Sequence, residues 1–169
     1  MKTPQTIFLA TVLLLIAACQ QPDNPQKSEA ETAEFLSDFE FLTRIDLSKE
    51  NLFKEGDLYG DWKITTVFQE IYIDGTLNSS TDVTSGLTSS LITLRGDHTA
   101  GNNKTWLYAY NYLFIKNGSA YSYWEVANLE SDFLRLKKEE YPAGSDSFIP
   151  YYKDKSGEHR FSVFELHPN

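Results

Sequence analysis

Cysteine, histidine and clustered positive charge are all scarce in this chain of 169 residues. Its one Cys excludes an internal disulfide framework and any CxxC-type zinc site. The three His, His98, His159 and His167, are scattered over a turn, a strand start and the C-terminus. Neither a carboxylate nor a second His stands at ligand spacing beside any of them, so they read as surface residues and not as metal ligands. Fifteen Lys+Arg face 24 Asp+Glu, a net charge of −9, and no basic cluster occurs. Nucleic-acid binding needs concentrated positive charge and is excluded as a reading. GxSxG, HExxH, P-loop and GxGxxG patterns are all missing, so the chain reads as a non-enzyme without a cofactor. What the chain does hold is aromatic residues, 14% of the total within 41% hydrophobic, which argues for a packed core.

The N-terminus reads as an address. Met1 to Thr6 is short and polar, with Lys2 its charge, and Ile7 to Ala18 is almost unbroken apolar. Twelve residues fall short of the about 20 that a membrane-spanning helix needs and fit the apolar core of a secretory signal. The run ends in Ile16-Ala17-Ala18-Cys19, which resembles the lipobox of bacterial lipoproteins. The resemblance implies cleavage after residue 18 and a diacylglycerol (palmitate-bearing) anchor on Cys19, with the membrane as a partner. Two or three acyl chains hold a soluble domain at a bilayer, where one gives only marginal binding. Gln20 follows Cys19, where an Asp would resemble an inner-membrane retention signal. The resemblance therefore points to the outer membrane of a Gram-negative envelope and leaves the leaflet open.

Residues 19–30 follow as a tether. Pro22, Pro25 and a polar composition without a large hydrophobe make a flexible spacer. Residues 31–56 read as a helix and its connection. Phe35, Leu36, Phe39 and Leu42 recur at helical spacing, which predicts a short amphipathic helix over Glu31–Leu42 that covers a sheet face or barrel end.

From residue 57 to 169 the period changes to two. Trp62, Ile64, Phe68 and Tyr72 share one side of a long strand, and Val67, Ile71 and Ile73 the other. Asp74-Gly75 ends it, and Thr76 to Ser90 reads as a Ser/Thr/Gly-rich loop. Leu91–Arg95, Lys104–Lys116, Ala120–Asn128, Phe133–Lys138 and His159–Leu166 read as further strands. Asn117-Gly118 is the best hairpin signal, because both residues tolerate positive φ. Short strands with turns between them predict an all-β domain, an antiparallel up-and-down β-barrel preceded by the short helix.

Gly60-Asp61-Trp62 resembles the GxW signature of lipocalins, and Leu58-Tyr59, Leu94-Arg95-Gly96-Asp97-His98-Thr99 and Trp124-Glu125-Val126 resemble the small lipocalin-like domains of Bacteroidetes-type lipoproteins. The resemblance covers about Leu58 to His167. It implies a lipocalin-like barrel with a small apolar or amphipathic ligand, Gly60 and Trp62 as signature residues, and Arg160 as the counterpart of a late Arg that stacks on the Trp. The Thr-Asp-Tyr motif of longer lipocalins is missing, and His98 stands where these domains have a turn Gly. For Trp62 the resemblance also allows a purely structural role as the barrel floor.

A hairpin centred on Asn117-Gly118 pairs Phe114 with Tyr121 and Tyr112 with Tyr123. One face then becomes a ladder of Trp106, Tyr108, Tyr110, Tyr112, Phe114, Tyr121 and Tyr123, and the other an aliphatic set of Leu107, Leu113, Ile115 and Val126 with Trp124. A three-residue loop at Glu130–Asp132 adds Leu134 and Leu136 to the aliphatic face and makes it the interior. Three readings of the ladder stay open: cross-strand packing under the helix, a lumen lining, or an exposed platform for a protein or glycan partner. The candidate ligand contacts are Phe68, Tyr72, Tyr108, Tyr110, Tyr112, Tyr121, Tyr123 and Trp124. An enzyme on this scaffold requires a pocket with a buried acid such as Glu70 or Glu125 beside a His. Asp154 to Gly157 is a fragment of a calcium loop and reads more simply as a turn.

Overall fold

The computed structural model describes residues 28–37, 39, 42–85, 90–141 and 149–169. The expected signal, Cys19 and most of the expected tether lie outside the described residues.

The first helix, α1, is Glu29–Ser37, earlier than the apolar spacing predicts. Its start is set by a reciprocal cap. Glu31 donates its backbone N–H to Ser28 Oγ at 3.3 Å, and Ser28 returns its own N–H to Glu31 Oε2 at 2.9 Å. The apolar stripe outruns the helix: Phe39 and Ile45 are buried beyond its end, with a 3₁₀ turn at Leu42–Arg44 between them. A second 3₁₀ turn, Glu55–Leu58, leads into the strands.

Eight strands follow among the described residues: β1 Gly60–Ile73, β2 Thr76–Asp82, β3 Leu91–Leu94, β4 Thr105–Ala109, β5 Tyr112–Asn117, β6 Ala120–Glu130, β7 Phe133–Glu140 and β8 Glu158–Pro168. They form one antiparallel sheet in the order β2-β1-β8-β7-β6-β5-β4, with β3 also on β1. β3 pairs the first part of β1 (Gly60–Lys63) and β2 the last part (Phe68–Ile73). At the far end of the order, β4 meets the turn that follows β3: the Trp106 N–H donates to the His98 carbonyl at 2.9 Å, and Thr99 bridges Thr105. No helix among the described residues is long and apolar enough to cross a membrane.

Several sequence expectations change here. Residues 76–82 form a strand where a loop is expected, because the Asp74-Gly75 turn (φ 49° and 80°) folds the chain straight back onto β1. The long strand expected over Lys104–Lys116 is two strands. Tyr110 and Asn111 both take left-handed backbone (φ 54° and 63°), and Ala109 pairs with Tyr112 in a tight hairpin. The next turn places Gly118-Ser119 at its tip, so Phe114 pairs with Tyr123 and not with Tyr121. That two-residue slide leaves the faces unchanged, since side chains alternate with period two.

The extra turn divides the aromatic ladder. Trp106 and Tyr108 go to the cluster around Trp62, Leu94, Leu113, Val126, Leu134, Leu136 and Leu166, which draws on β1 and β3 to β8. Tyr112, Phe114 and Tyr123 go to the opposite face with Leu107. Leu36, Phe39 and Ile45 cover that second face, and the Phe39 ring lies 4.4 Å from Tyr121 and 5.2 Å from Phe114 between centroids. Tyr112 and Tyr123 are only 7% and 8% exposed, so the exposed Tyr platform is not present. Val126 does pair with Leu136, as a three-residue loop would place it. It gets there through a two-residue turn at Ser131-Asp132 and a bulge between Val126 and Asn128.

A bulge between Ile64 and Thr66 also swaps the faces of β1. Trp62 and Ile64 point into the first cluster, whereas Phe68 and Glu70 pair in register with Val163 and Phe161 on the second face. Trp62 is 4% exposed and donates its indole N–H to the Leu58 carbonyl at 2.8 Å. Gly60 takes φ +149°, a conformation that disfavours a side chain. Arg160 pairs in register with Ile71 and Trp62 with Pro168, at opposite ends of β8. Arg160 therefore does not stack on Trp62; it bonds Glu158 at 2.7 Å.

Candidate functional site

The β6–β7 ladder stops at Glu125–Lys137. Beyond that pair the start of β6 stays on β5 and the end of β7 stays on β8. The strands part, and two connected clefts occupy the opening. Arg44, Tyr123, Lys138 and Glu139 line both. The first, of about 330 Å³, also touches Asp46, Lys49, Tyr112, Glu125, Lys137, Tyr151 and Phe161. The second, of about 500 Å³, also touches Tyr121, Trp124, Glu140, Tyr141, Ser162 and Phe164. The segment after α1 roofs the opening. Tyr141 and Tyr152 donate their hydroxyls to the carbonyls of Arg44 and Thr43, and the Arg44 guanidinium lies 4.6 Å from the Tyr141 ring centroid.

The local sequence explains the composition of this opening. On β7 the alternating interior positions Leu134 and Leu136 continue as Lys138 and Glu140. The apolar stripe turns charged where the strand loses its β6 partner.

Lys137, which lines the first cleft, belongs to a buried charge cluster behind it. Glu70, 3% exposed, accepts from Arg135 Nη2 at 2.6 Å and from the Tyr72 hydroxyl at 3.1 Å, with Lys137 Nζ at 3.4 Å. Lys137 Nζ also sits 4.0 Å and 4.1 Å from the ring centroids of Tyr72 and Phe161. Burial lowers the Lys137 pKa, and the Glu70 charge opposes that shift. Burial lowers the Lys138 pKa as well, against the charge of Glu140 and with the help of Arg44. The Tyr112 hydroxyl is pushed up by burial and then by the Glu125 charge, and Tyr141 by burial and then by Glu139. Tyr123 is pushed up by burial, with Arg44 acting against it. These phenols therefore serve as neutral hydrogen-bonding groups.

Of the predicted contacts, the opening gathers Tyr112, Tyr121, Tyr123 and Trp124. Tyr72 stands behind it, edge-on to Tyr151 and Phe161, and Phe68 lies farther along β1. Tyr108 is buried, donating its hydroxyl to Asn111 Oδ1 at 2.7 Å. Together with Tyr110 it borders a separate groove beside Glu29 and Asn51.

Two histidines prove to be partly or fully buried beside carboxylates, against the surface reading. His98, at φ 62°, brings Nε2 to 2.9 Å from Glu55 Oε1. His159 faces Glu139 Oε1 at 2.7 Å and the Ser156 carbonyl at 3.1 Å. His167 is exposed, 2.8 Å from the Asp132 carbonyl. Glu70 and Glu125 instead have cations as ion partners among the described residues. No group of three His, Cys, Asp or Glu among the described residues is placed to hold a metal ion.

Sequence reasoning missed Arg44, Lys137, Lys138, Glu139 and Tyr141. The available signal was the charged run Lys137-Lys138-Glu139-Glu140 at the end of an otherwise aliphatic strand. Comparison with protein-family models, with curated proteins and with solved structures returns no match for this chain.

Proposed function

We propose that this chain is a lipoprotein anchored through Cys19 in a Gram-negative envelope, at the outer membrane. Its lipocalin-like barrel is a non-enzymatic binding module for a small amphipathic molecule. The lipobox-like Ile16–Cys19 supports the anchor. Closure of the sheet into a barrel is supported by the hydrogen bonds between β4 and the turn after β3, and by the single cluster that gathers side chains from β1 and β3 to β8.

The observation that carries the binding reading is the parting of β6 from β7, which opens clefts of about 330 and 500 Å³ next to aromatic rings. That size suits a small ligand. The ligand sits there and not among the interior side chains, because Trp62, Trp106, Tyr108 and six leucines already fill that space.

Native mass spectrometry of the chain purified from envelope extract tests the binding module. The expected result is a discrete small-molecule adduct that disappears on denaturation. A bare protein mass, even with envelope extract added back, would remove the reading. Cys19→Ser tests the anchor: the variant should leave the membrane fraction and fail to incorporate labelled palmitate.

A further inference from the structure

We propose that the β6–β7 opening is an anion site, taking a small organic carboxylate or phosphate that carries a flat ring. Lys138 and Arg44 hold the oxyanion, and Trp124, Phe164 and Tyr121 hold the ring. This deepens the cleft reading above and rests on it.

The chain as a whole is acidic, so an anion site in this opening needs a local cause. The carboxylates around it are already engaged. Glu139 accepts from the Tyr151 N–H at 3.0 Å and the Tyr141 hydroxyl at 3.0 Å, and faces His159 Nδ1 at 2.7 Å. Glu140 accepts from the Ser162 hydroxyl and from Gln69 Nε2. Glu125 pairs with Lys49. Lys138 is different. Its ammonium lies 5.2 Å from the Tyr123 ring centroid, and no carboxylate among the described residues is within ion-pairing distance of it.

Arg44 lines the same two clefts, and its charge adds to burial in lowering the Lys138 pKa, against the charge of Glu140. Two like charges lining one half-buried opening repel, and an oxyanion that bonds both offsets that repulsion through charge-assisted hydrogen bonds. Next to them the larger cleft offers aromatic surface. A bare inorganic ion would leave that surface unused, whereas a ring would cover it.

The test is an NMR titration of the full chain, ¹⁵N-labelled, in a zwitterionic detergent. Benzoate and phenyl phosphate are the two anionic probes, benzamide the neutral isostere and inorganic phosphate the ringless anion. Trp124 supplies the reporter indole, and the buried Trp62 and Trp106 indoles serve as internal controls. We expect benzoate or phenyl phosphate to shift Trp124 saturably while the other two stay in place, and the stronger of the two identifies the oxyanion class. Benzamide and inorganic phosphate should bind at least about tenfold more weakly, and Lys138→Gln should lose about tenfold while Lys138→Arg keeps most of the affinity. Equal binding of benzamide and benzoate, with Lys138→Gln unchanged, would overturn the anion site and leave the ligand cleft standing. Equal binding of inorganic and phenyl phosphate would overturn the ring. No saturable shift with any probe would overturn the anion site. A native adduct in the preceding experiment would still keep the binding reading.

Discussion

Four aspartates close the same small turn. Asp46, Asp82, Asp97 and Asp154 each stand two residues before a Ser or Thr whose backbone N–H donates to the carboxylate, at 2.8 to 3.1 Å. The hydroxyl of the same residue holds Asp46, Asp82 and Asp97 below the ordinary 3.8, whereas for Asp154 the Ser156 amide comes first. A lowered folded pKa adds stability above the unfolded value and loses it as pH falls through the folded one. Denaturant midpoints should therefore decline as pH drops below about 4. A variant with all four changed to Asn, which accepts hydrogen bonds but does not titrate, should decline less steeply; parallel curves would show that these turns play no part in acid sensitivity. Glu70 acts at the same scale with more at stake. Glu70→Gln removes the nearest countercharge of the buried Lys137 and leaves Arg135 with Glu165 alone, and should cost about 3–5 kcal/mol, read from urea unfolding. The Asp-x-Ser/Thr pattern is legible in the sequence. The company Glu70 keeps is not, because Arg135 and Lys137 reach it across β8.

At the scale of elements, alternation and turn chemistry gave most of the strand positions. They failed where one residue changes parity. The bulges at Ile64–Thr66 and Val126–Asn128 exchange the two faces of a strand, and no side chain announces them. The Tyr110-Asn111 turn was hidden because Tyr rarely takes positive φ. Asn111 makes it possible: this 2% exposed side chain accepts from the Tyr108 hydroxyl at 2.7 Å and the Leu52 N–H at 3.3 Å, and donates to the Val126 carbonyl at 3.1 Å. Those bonds repay a strained turn by tying three segments together. The α1 region is bound to the sheet by packing. Phe39→Ala should cost about 3 kcal/mol and loosen the segment that roofs the cleft. Hydrogen exchange would check it: faster exchange should appear at Leu42–Asp46, with the β1–β8 ladder unchanged.

Across the molecule, protection should follow the sheet order. β1 is paired along both edges, to β8 on one side and to β2 and β3 on the other. β2 has one described ladder and is mostly exposed. Amide exchange should therefore be slowest in β1 and β8 and fastest, among the strands, in β2. Equal protection of β2 and β8 would mean that β2 has a partner on its outer edge. The polar sequence of β2, Thr-Leu-Asn-Ser-Ser-Thr-Asp, suits an open edge, since it gives a second chain little apolar surface to pair on.

The sequence by itself determined the properties that depend on neighbours along the chain. It sets the lipobox-like motif ending at Cys19, the polar composition of the residues after it, the change from helical to strand period and the antiparallel all-β class, because composition and periodicity are local. Only the tertiary structure decided which rings share a face, where β6 leaves β7, and that Lys138 and Arg44 look into one opening. Those outcomes hang on single-residue bulges and on contacts between residues about a hundred positions apart, such as Arg44 and Tyr141. At such distances the packing of the whole molecule selects among local conformations of similar energy.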